Sequence, residues 1–456
     1  MNLNKFVLST KSLMKLAYPI LIAQLVQNLM GFADTVMAGR VSATDMAAVA
    51  IASSIWLPII LTVFGLIMAL ASIVSQYAGA NKFEQVAKAT QQTAWIAITL
   101  GVLFIALFFS IAPVIASNVS LDIKLKTLLF DYLGYIIWGA PGFFLYSVLR
   151  NYSEGLSHTK PTMIISLIGL IANIPANYIF IYGEFGAPAL GGAGCGIATA
   201  IVYWIMFLCT LVYTYYAKTL AHAPLFERFY KPSLSQIKTI LAIGIPISLS
   251  LLFEVSLFSV VAIILAPFGA ETVASHQIAL NFSGLVFMVP LSLGMAVTIK
   301  VGFAVGKQNF KQAKELCTYS VILGLLIAIF TAAITLIFRT EISHIYTNDA
   351  QVIKLAASLM FLAALFQFSD AIQVISAGAL RGYKDTKAIL YITFFSYWII
   401  GLSVGLILAL TDWLVPKMGA SGFWIGFISG LTTAAILLAW RLKIIQKRVV
   451  LAQVDA

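Results

Sequence analysis

KLAYPILIAQL at residues 15–25 and AIGIPISLSLL at residues 242–252 decide the fold. Both are apolar, both carry a proline at the fifth position, and Pro19 and Pro246 lie 227 residues apart. The same offset links Gly79 in YAGANKFEQ (77–85) to Gly306 in AVGKQNFKQ (304–312), with Phe83 and Gln85 matching Phe310 and Gln312. It links Gly155, Thr159 and Lys160 to Gly382, Thr386 and Lys387, and Gly192 to Gly419. One register held from Pro19 to Gly192 marks an internal repeat of the kind from which transporter folds are often built.

Composition says what is repeated. Of 456 residues, 61% are AVILMFWYC and only 10% are charged, with a mean hydropathy of +0.98. An average soluble domain is roughly one quarter charged, so a soluble fold, a disordered chain, collagen and a coiled coil are excluded. Cys195, Cys209 and Cys317 form no CxxC and cannot make a disulfide scaffold. A spanning helix needs about 20 apolar residues. Twelve stretches meet that length, near 13–38, 47–76, 91–116, 129–149, 162–183, 192–216, 239–266, 274–299, 317–338, 355–379, 388–410 and 420–440. Their apolar runs are continuous rather than alternating, which predicts helices and not barrel strands. The first is too long for a signal-peptide core and is read as a retained helix. The expected fold is an all-α membrane protein of twelve transmembrane helices in two six-helix lobes. These are an N-lobe (1–216), a polar cytoplasmic linker (217–238) and a C-lobe (239–456). An even number of spans per repeat gives both lobes one orientation, a parallel pseudo-two-fold with a cleft suited to alternating access. Pro19, Pro58, Pro141, Pro175, Pro246 and Pro290 fall inside spans and offer bends.

The formal charge of +11 would point to nucleic acid or an acidic partner in a soluble protein. Here it reads as topology. With the N-terminus inside, 22 of the 28 basic residues fall on the inner side and six on the outer side, which predicts both termini in the cytoplasm.

Three of the 17 acidic residues fall inside spans: Asp34, Glu254 and Asp370. A carboxylate at the bilayer centre costs at least about 2.5–3.5 kcal/mol, so it tends to face a cavity and to have a task. Glu254, in LLFEVSLFSVV, has no basic residue within a helical turn. Asp370 lies near Gln367, Ser369 and Gln373, an oxygen-rich setting that suits a hard cation such as Na⁺ or a protonatable acid equally well. Asp34 shares a helix face with Gln27, although Arg40 could instead neutralise it at the membrane surface. The repeat pairs Glu254 with Gln27, Asp370 with Phe143 and Asp34 with Val261, so the scaffold is duplicated and the charges are not. Asn173 and Asn177 flank Pro175 one turn apart, and Gln277 and Asn281 share that spacing in the eighth span. Interhelical hydrogen bonding and ligand contact are both open to these four amides.

Several motifs fail. GFAVGK at 302–307 lacks the spacing and hydroxyl of a P-loop, and GGAGCG at 191–196 opens a span rather than following a strand, so it reads as helix packing. The four histidines are not spaced as metal ligands. No paired-Asp protease signature occurs, and the Asn118-Val-Ser sequon is at chance level. No enzyme is expected.

The segments MGFADTVMAGRVSATDMAAVAIASSIWLP, NIPANYIFIYGEFGAPALGGAGCGIAT, FEVSLF, HQIALNFSGLVFMVPLSLGMAV and DAIQVISAGALRGYKDTK together resemble the NorM branch of the multidrug and toxic compound extrusion (MATE) transporters. The resemblance runs over nearly the whole chain. It implies a V-shaped, twelve-helix antiporter of the bacterial inner membrane, driven by Na⁺ or H⁺ and using no cofactor. It also implies export of lipophilic cations such as fluoroquinolones and ethidium-like dyes. The resemblance places the coupling cation at Glu254 and Asp370 and gives Asp34 a role in proton coupling and drug binding. Some relatives carry Tyr four residues before the tenth-span Asp; here that residue is Phe366, which removes a hydroxyl from the cation site. We expect a monomer whose partners are drugs and membrane lipid, with no nucleic acid. A lipid-linked oligosaccharide flippase of related fold is the alternative. It should place Arg or Lys inside spans to hold a pyrophosphate, and none is expected mid-span.

Overall fold

The computed structural model describes residues 3–118 and 122–454. Part of the Asn118 sequon therefore lies outside the described residues. Among the described residues, twelve helical spans are long and apolar enough to cross a membrane. They are Leu3–Gly39, Ala43–Gly79, Phe83–Asn118, Ile123–Gly155, Lys160–Tyr182, Gly191–Tyr216, Leu234–Phe268, Ala270–Gly306, Phe310–Tyr346, Ala350–Gly382, Thr386–Leu410 and Ala420–Val449. Each coincides with an expected stretch, and most extend beyond it. The sequence ruler stops where charge begins, whereas backbone hydrogen bonding carries the helix past the hydrocarbon. The fourth span is interrupted by a 3₁₀ turn at Ile137–Gly139, after which Pro141 stands in the first turn of the resumed helix, where its missing N–H costs nothing. The eleventh contains a π-helical stretch, Phe395–Gly401.

The repeat is visible in the backbone. Four spans end in the same cap, a left-handed non-glycine residue two positions after the closing glycine-containing turn. These residues are Asn81 (φ 56°), Ser157 (φ 68°), Gln308 (φ 58°) and Lys384 (φ 61°), two pairs at the 227-residue offset. In each, the next N–H reaches back to a carbonyl five residues earlier. The four bonds are Lys82 to Tyr77 at 2.8 Å and His158 to Ser153, Asn309 to Ala304 and Asp385 to Leu380 at 2.9 Å. Packing repeats as well. A Cβ on Gly155 would meet Val74 and the Ala71 carbonyl, and a Cβ on Gly382 would meet Val301 and the Thr298 carbonyl, all at the same offset.

The chain divides into two compact units, Pro19–Ser248 and Met1–Tyr18 with Leu249–Ala456. This differs from the division at the linker drawn from the sequence. The cuts fall within the first and seventh helices, at Pro19 and two residues after Pro246. The linker itself is bound to the third span. Gln91 Nε2 donates to the Leu225 and Arg228 carbonyls at 2.7 Å, and Gln92 Nε2 to the Lys231 carbonyl at 2.9 Å. The same two side chains accept from Tyr230 N and Ser233 N at 2.8 Å. A polar segment read as a connector is a docked part of the N-terminal unit, because these amides satisfy its backbone.

GGAGCG serves packing. A Cβ on Gly194 would strike the Phe180 carbonyl, and one on Gly196 the Tyr132 carbonyl. Buried Asp45 ties the same corner by accepting from Gly192 N at 2.6 Å.

Candidate functional site

In the N-terminal unit three spans converge on Asp34, which is 5% exposed. Asn173 Nδ2 and Asn177 Nδ2 donate to Oδ1 at 3.1 and 2.6 Å, and Thr199 Oγ1 donates to Oδ2 at 3.0 Å. Asn177 also donates to Asn173 Oδ1 at 3.2 Å. The helical spacing of the two asparagines presents both amides to one carboxylate, and the sixth span supplies the third donor. Tyr132 and Tyr203 lie close enough to interact electrostatically with Asp34. Among the described residues Asp34 makes no ion pair, so Arg40 does not neutralise it. Gln27, expected beside Asp34 on its helix face, is not joined to it; its buried Nε2 has no hydrogen-bond partner. Thr199, Tyr132 and Tyr203 were not found from sequence, since a hydroxyl within an apolar span carries no signal until its neighbours are known.

In the C-terminal unit Asp370 is 3% exposed and its Oδ1 has no hydrogen-bond partner. It lines a small pocket with Ser283, Pro290, Thr331, Phe366 and Gln367. Glu254 is half-buried and close enough to interact electrostatically with Asp370. Tyr397, on the π-helical stretch, lies near both acids, and its hydroxyl also lacks a partner. The seventh span is held there by Trp398, whose Nε1 donates to the Phe253 carbonyl at 3.1 Å, and by Phe258 against Phe427 at 4.9 Å between ring centroids.

The other polar residues picked out by sequence go elsewhere. Gln367 turns to the ninth span, accepting from Thr331 at 2.8 Å and donating to Thr335 at 2.9 Å. Ser369 pairs with Thr432 at 2.7 Å. Gln277 donates to Asn281 at 3.2 Å on an exposed face. Phe366 packs edge-on against Trp424, 6.1 Å between centroids, and offers no hydroxyl there. Gln373 Oε1 stays without a partner. Among the described residues no group of three or more His, Cys, Asp or Glu could hold a metal, so a cation here would rest on two carboxylates and neutral oxygens.

Two further ionic features were misplaced by sequence. Arg150 and Arg381, counted as loop charges, are inside helices and 2% and 6% exposed. Their position near span ends hid this, because burial there is set by neighbouring helices. Arg150 Nε pairs with equally buried Glu154 Oε1 at 2.8 Å.

The MatE family model matches residues 19–179 and again 246–407, two matches that begin 227 residues apart. The chain is 51% identical to the "Probable multidrug resistance protein NorM" of Shewanella oneidensis, over 96% of this chain and 95% of that one. It is 49% identical to the "Multidrug resistance protein MdtK" of Yersinia enterocolitica, over 98% of each. A solved outward-facing multidrug resistance MATE transporter of the MOP superfamily superposes with a TM-score of 0.84 at 23% identity, covering 97% of this chain and 96% of that one. Two copies of one family module, arranged as the internal repeat demands, make this chain a member of the MATE family.

Proposed function

We propose that this chain is a cation-coupled antiporter that exports lipophilic cationic drugs and dyes. It is a multi-pass membrane transporter working by alternating access, and multidrug efflux is the activity named for its relatives. The observation that carries the coupling is the buried, incompletely bonded Asp370 beside Glu254. Two carboxylates in a low-dielectric interior, one with a free oxygen, gain from an arriving Na⁺ or H⁺. Asp34 differs. Its two oxygens accept three side-chain hydrogen bonds that hold the carboxylate in place, and this fixed acid suits the role of partner to a cationic drug. Drug and coupling cation then antagonise one another by linkage. Fluoroquinolones and ethidium-like dyes are the expected cargo, lipid the surrounding partner, and the monomer the working unit. The inner-side excess of basic residues supports both termini in the cytoplasm, and the likeness to bacterial relatives supports residence in the inner membrane.

Ethidium efflux from vesicles under separately imposed Na⁺ and pH gradients tests this. Glu254→Gln and Asp370→Asn should each abolish gradient-dependent efflux. Full, gradient-dependent efflux in both sinks the coupling assignment.

The flippase reading requires basic residues within spans. Arg150 and Arg381 do lie within helices, yet each stands within a few residues of a helix end, and Arg150 is already paired.

A further inference from the structure

The C-terminal unit holds a second pocket, apart from the one beside Asp370. It has a volume of about 460 Å³ and lies where the ninth span ends and the tenth begins. That size is within the roughly 300–1,000 Å³ of small-ligand sites. Arg339 and His344 line it from the last two turns of the ninth span, and Lys354 from the second turn of the tenth. Thr340, Asn348 and Ser358 add polar groups, and among the described residues no acid lines it. Asp349 is adjacent in sequence, but its Oδ1 caps the tenth span, accepting from Gln351 N at 2.8 Å and Val352 N at 3.1 Å. Among the described residues neither Arg339 nor Lys354 makes an ion pair.

These charges belong to one unit alone. The fourth and tenth spans begin at Ile123 and Ala350, 227 residues apart, and Asp122 caps the fourth through Lys124 N and Leu125 N as Asp349 caps the tenth. At the same offset Arg339, His344 and Lys354 correspond to Ala112, Ser117 and Thr127. Topology does not account for them either. In the proposed orientation this end is the outer side, where six of the 28 basic residues fall, and two of those six line this pocket. Basic residues there work against the bias that orients the chain.

Toward the middle of the spans the surface turns apolar. On the tenth span Lys354 and Ser358 continue at helical spacing into exposed Phe361 and Leu365. On the ninth, packed beside it, Thr340 leads in the same way to exposed Leu336 and Ile329. A cationic mouth above two apolar stripes matches an amphiphilic anion, whereas a free phosphate would use the mouth alone.

We propose that this pocket binds an anionic phospholipid of the outer leaflet, its phosphate held by Arg339 and Lys354 and its acyl chains lying along the two stripes. The site is separate from the coupling acids; only its assignment to the outer leaflet rests on the proposed orientation.

Native mass spectrometry of the full chain in detergent, titrated with phosphatidylglycerol or phosphatidylcholine, tests this. The parent should hold its first phosphatidylglycerol about ten-fold or more tighter than its first phosphatidylcholine. Arg339→Ala with Lys354→Thr, which installs the residues of the matching N-terminal positions, should abolish that preference. Lys124→Gln with Lys126→Gln removes the same charge from the outer side of the other unit and should leave the preference in place. Lys354→Glu, at an exposed position, is the second variant where the double change fails to fold, and it should abolish the preference as well. No preference in the parent, a parent-like preference in either folded pocket variant, or its loss in the Lys124 and Lys126 control overturns the proposal. Displacement of the lipid by an equal concentration of inorganic phosphate would assign the pocket to a free phosphate and overturn it too.

Discussion

Asp34 and Asp370 are both nearly sealed from solvent, yet their surroundings are opposite. Asp34 accepts three side-chain hydrogen bonds from two other spans. Asp370 keeps an oxygen with no partner, beside a second acid and an unpartnered tyrosine hydroxyl. The two arginines divide in the same way, Arg150 bonded within its own helix and Arg381 without a carboxylate there. The backbone is not the source of this difference. The left-handed caps recur at one offset, and so do the glycine contacts of the fourth and tenth spans. Duplication preserved the scaffold, while side-chain divergence gave Asp34 and Arg150 bonded partners and left Asp370 Oδ1 and Arg381 Nε without them. A closed polar network rigidifies, and an open one can take up and release a cation.

The largest expected effect tests the closed unit. Arg150→Ala strands Glu154 in the interior and should cost about 3–5 kcal/mol, read as a steep fall in melting temperature in detergent. The double change Arg150→Met, Glu154→Leu should recover most of it. Arg381→Ala breaks no hydrogen-bonded pair and should cost clearly less; equal damage at both sites would break the comparison. Next comes Asn177→Ala, which removes the 2.6 Å donor to Asp34 and should cost about 1–3 kcal/mol in thermal melting. The smallest effects lie at the repeated caps. Ser157→Gly and Lys384→Gly relieve a left-handed backbone and should each raise stability by up to about 1 kcal/mol. Burial lowers the Lys384 ammonium to about 8 from 10.5. The unfolded chain then binds more protons between those values, so stability rises with pH across that window. Melting curves at pH 8 and pH 10 should show this rise, and Lys384→Gln should flatten it.

Much of this was legible without coordinates, and the reasons are particular. Every expected span coincides with a helix because twenty apolar residues in lipid have little alternative. Asp34, Asn173 and Asn177 were singled out because amides and acids are rare in such runs. Their meeting was not foreseen, nor was Thr199. Gln367, three residues from Asp370, looked like its neighbour and turns to Thr331 and Thr335 instead. Gln27 likewise shares a helix face with Asp34, yet its Nε2 bonds to nothing there. Proximity along a helix bounds where a side chain can reach, but a better partner on another span decides where it goes.

The class, the twelve spans, the duplication and the family follow from apolar length, periodicity and register, all local along the chain. The docking of the linker, the parting of the compact units near Pro19 and Pro246 and the burial of Arg150 and Arg381 come from packing between distant segments. The same packing gives Asp34 three donors and leaves Asp370 Oδ1 without one. Those properties depend on which groups from distant segments share one small volume, and a buried polar atom is costly or useful according to that company alone.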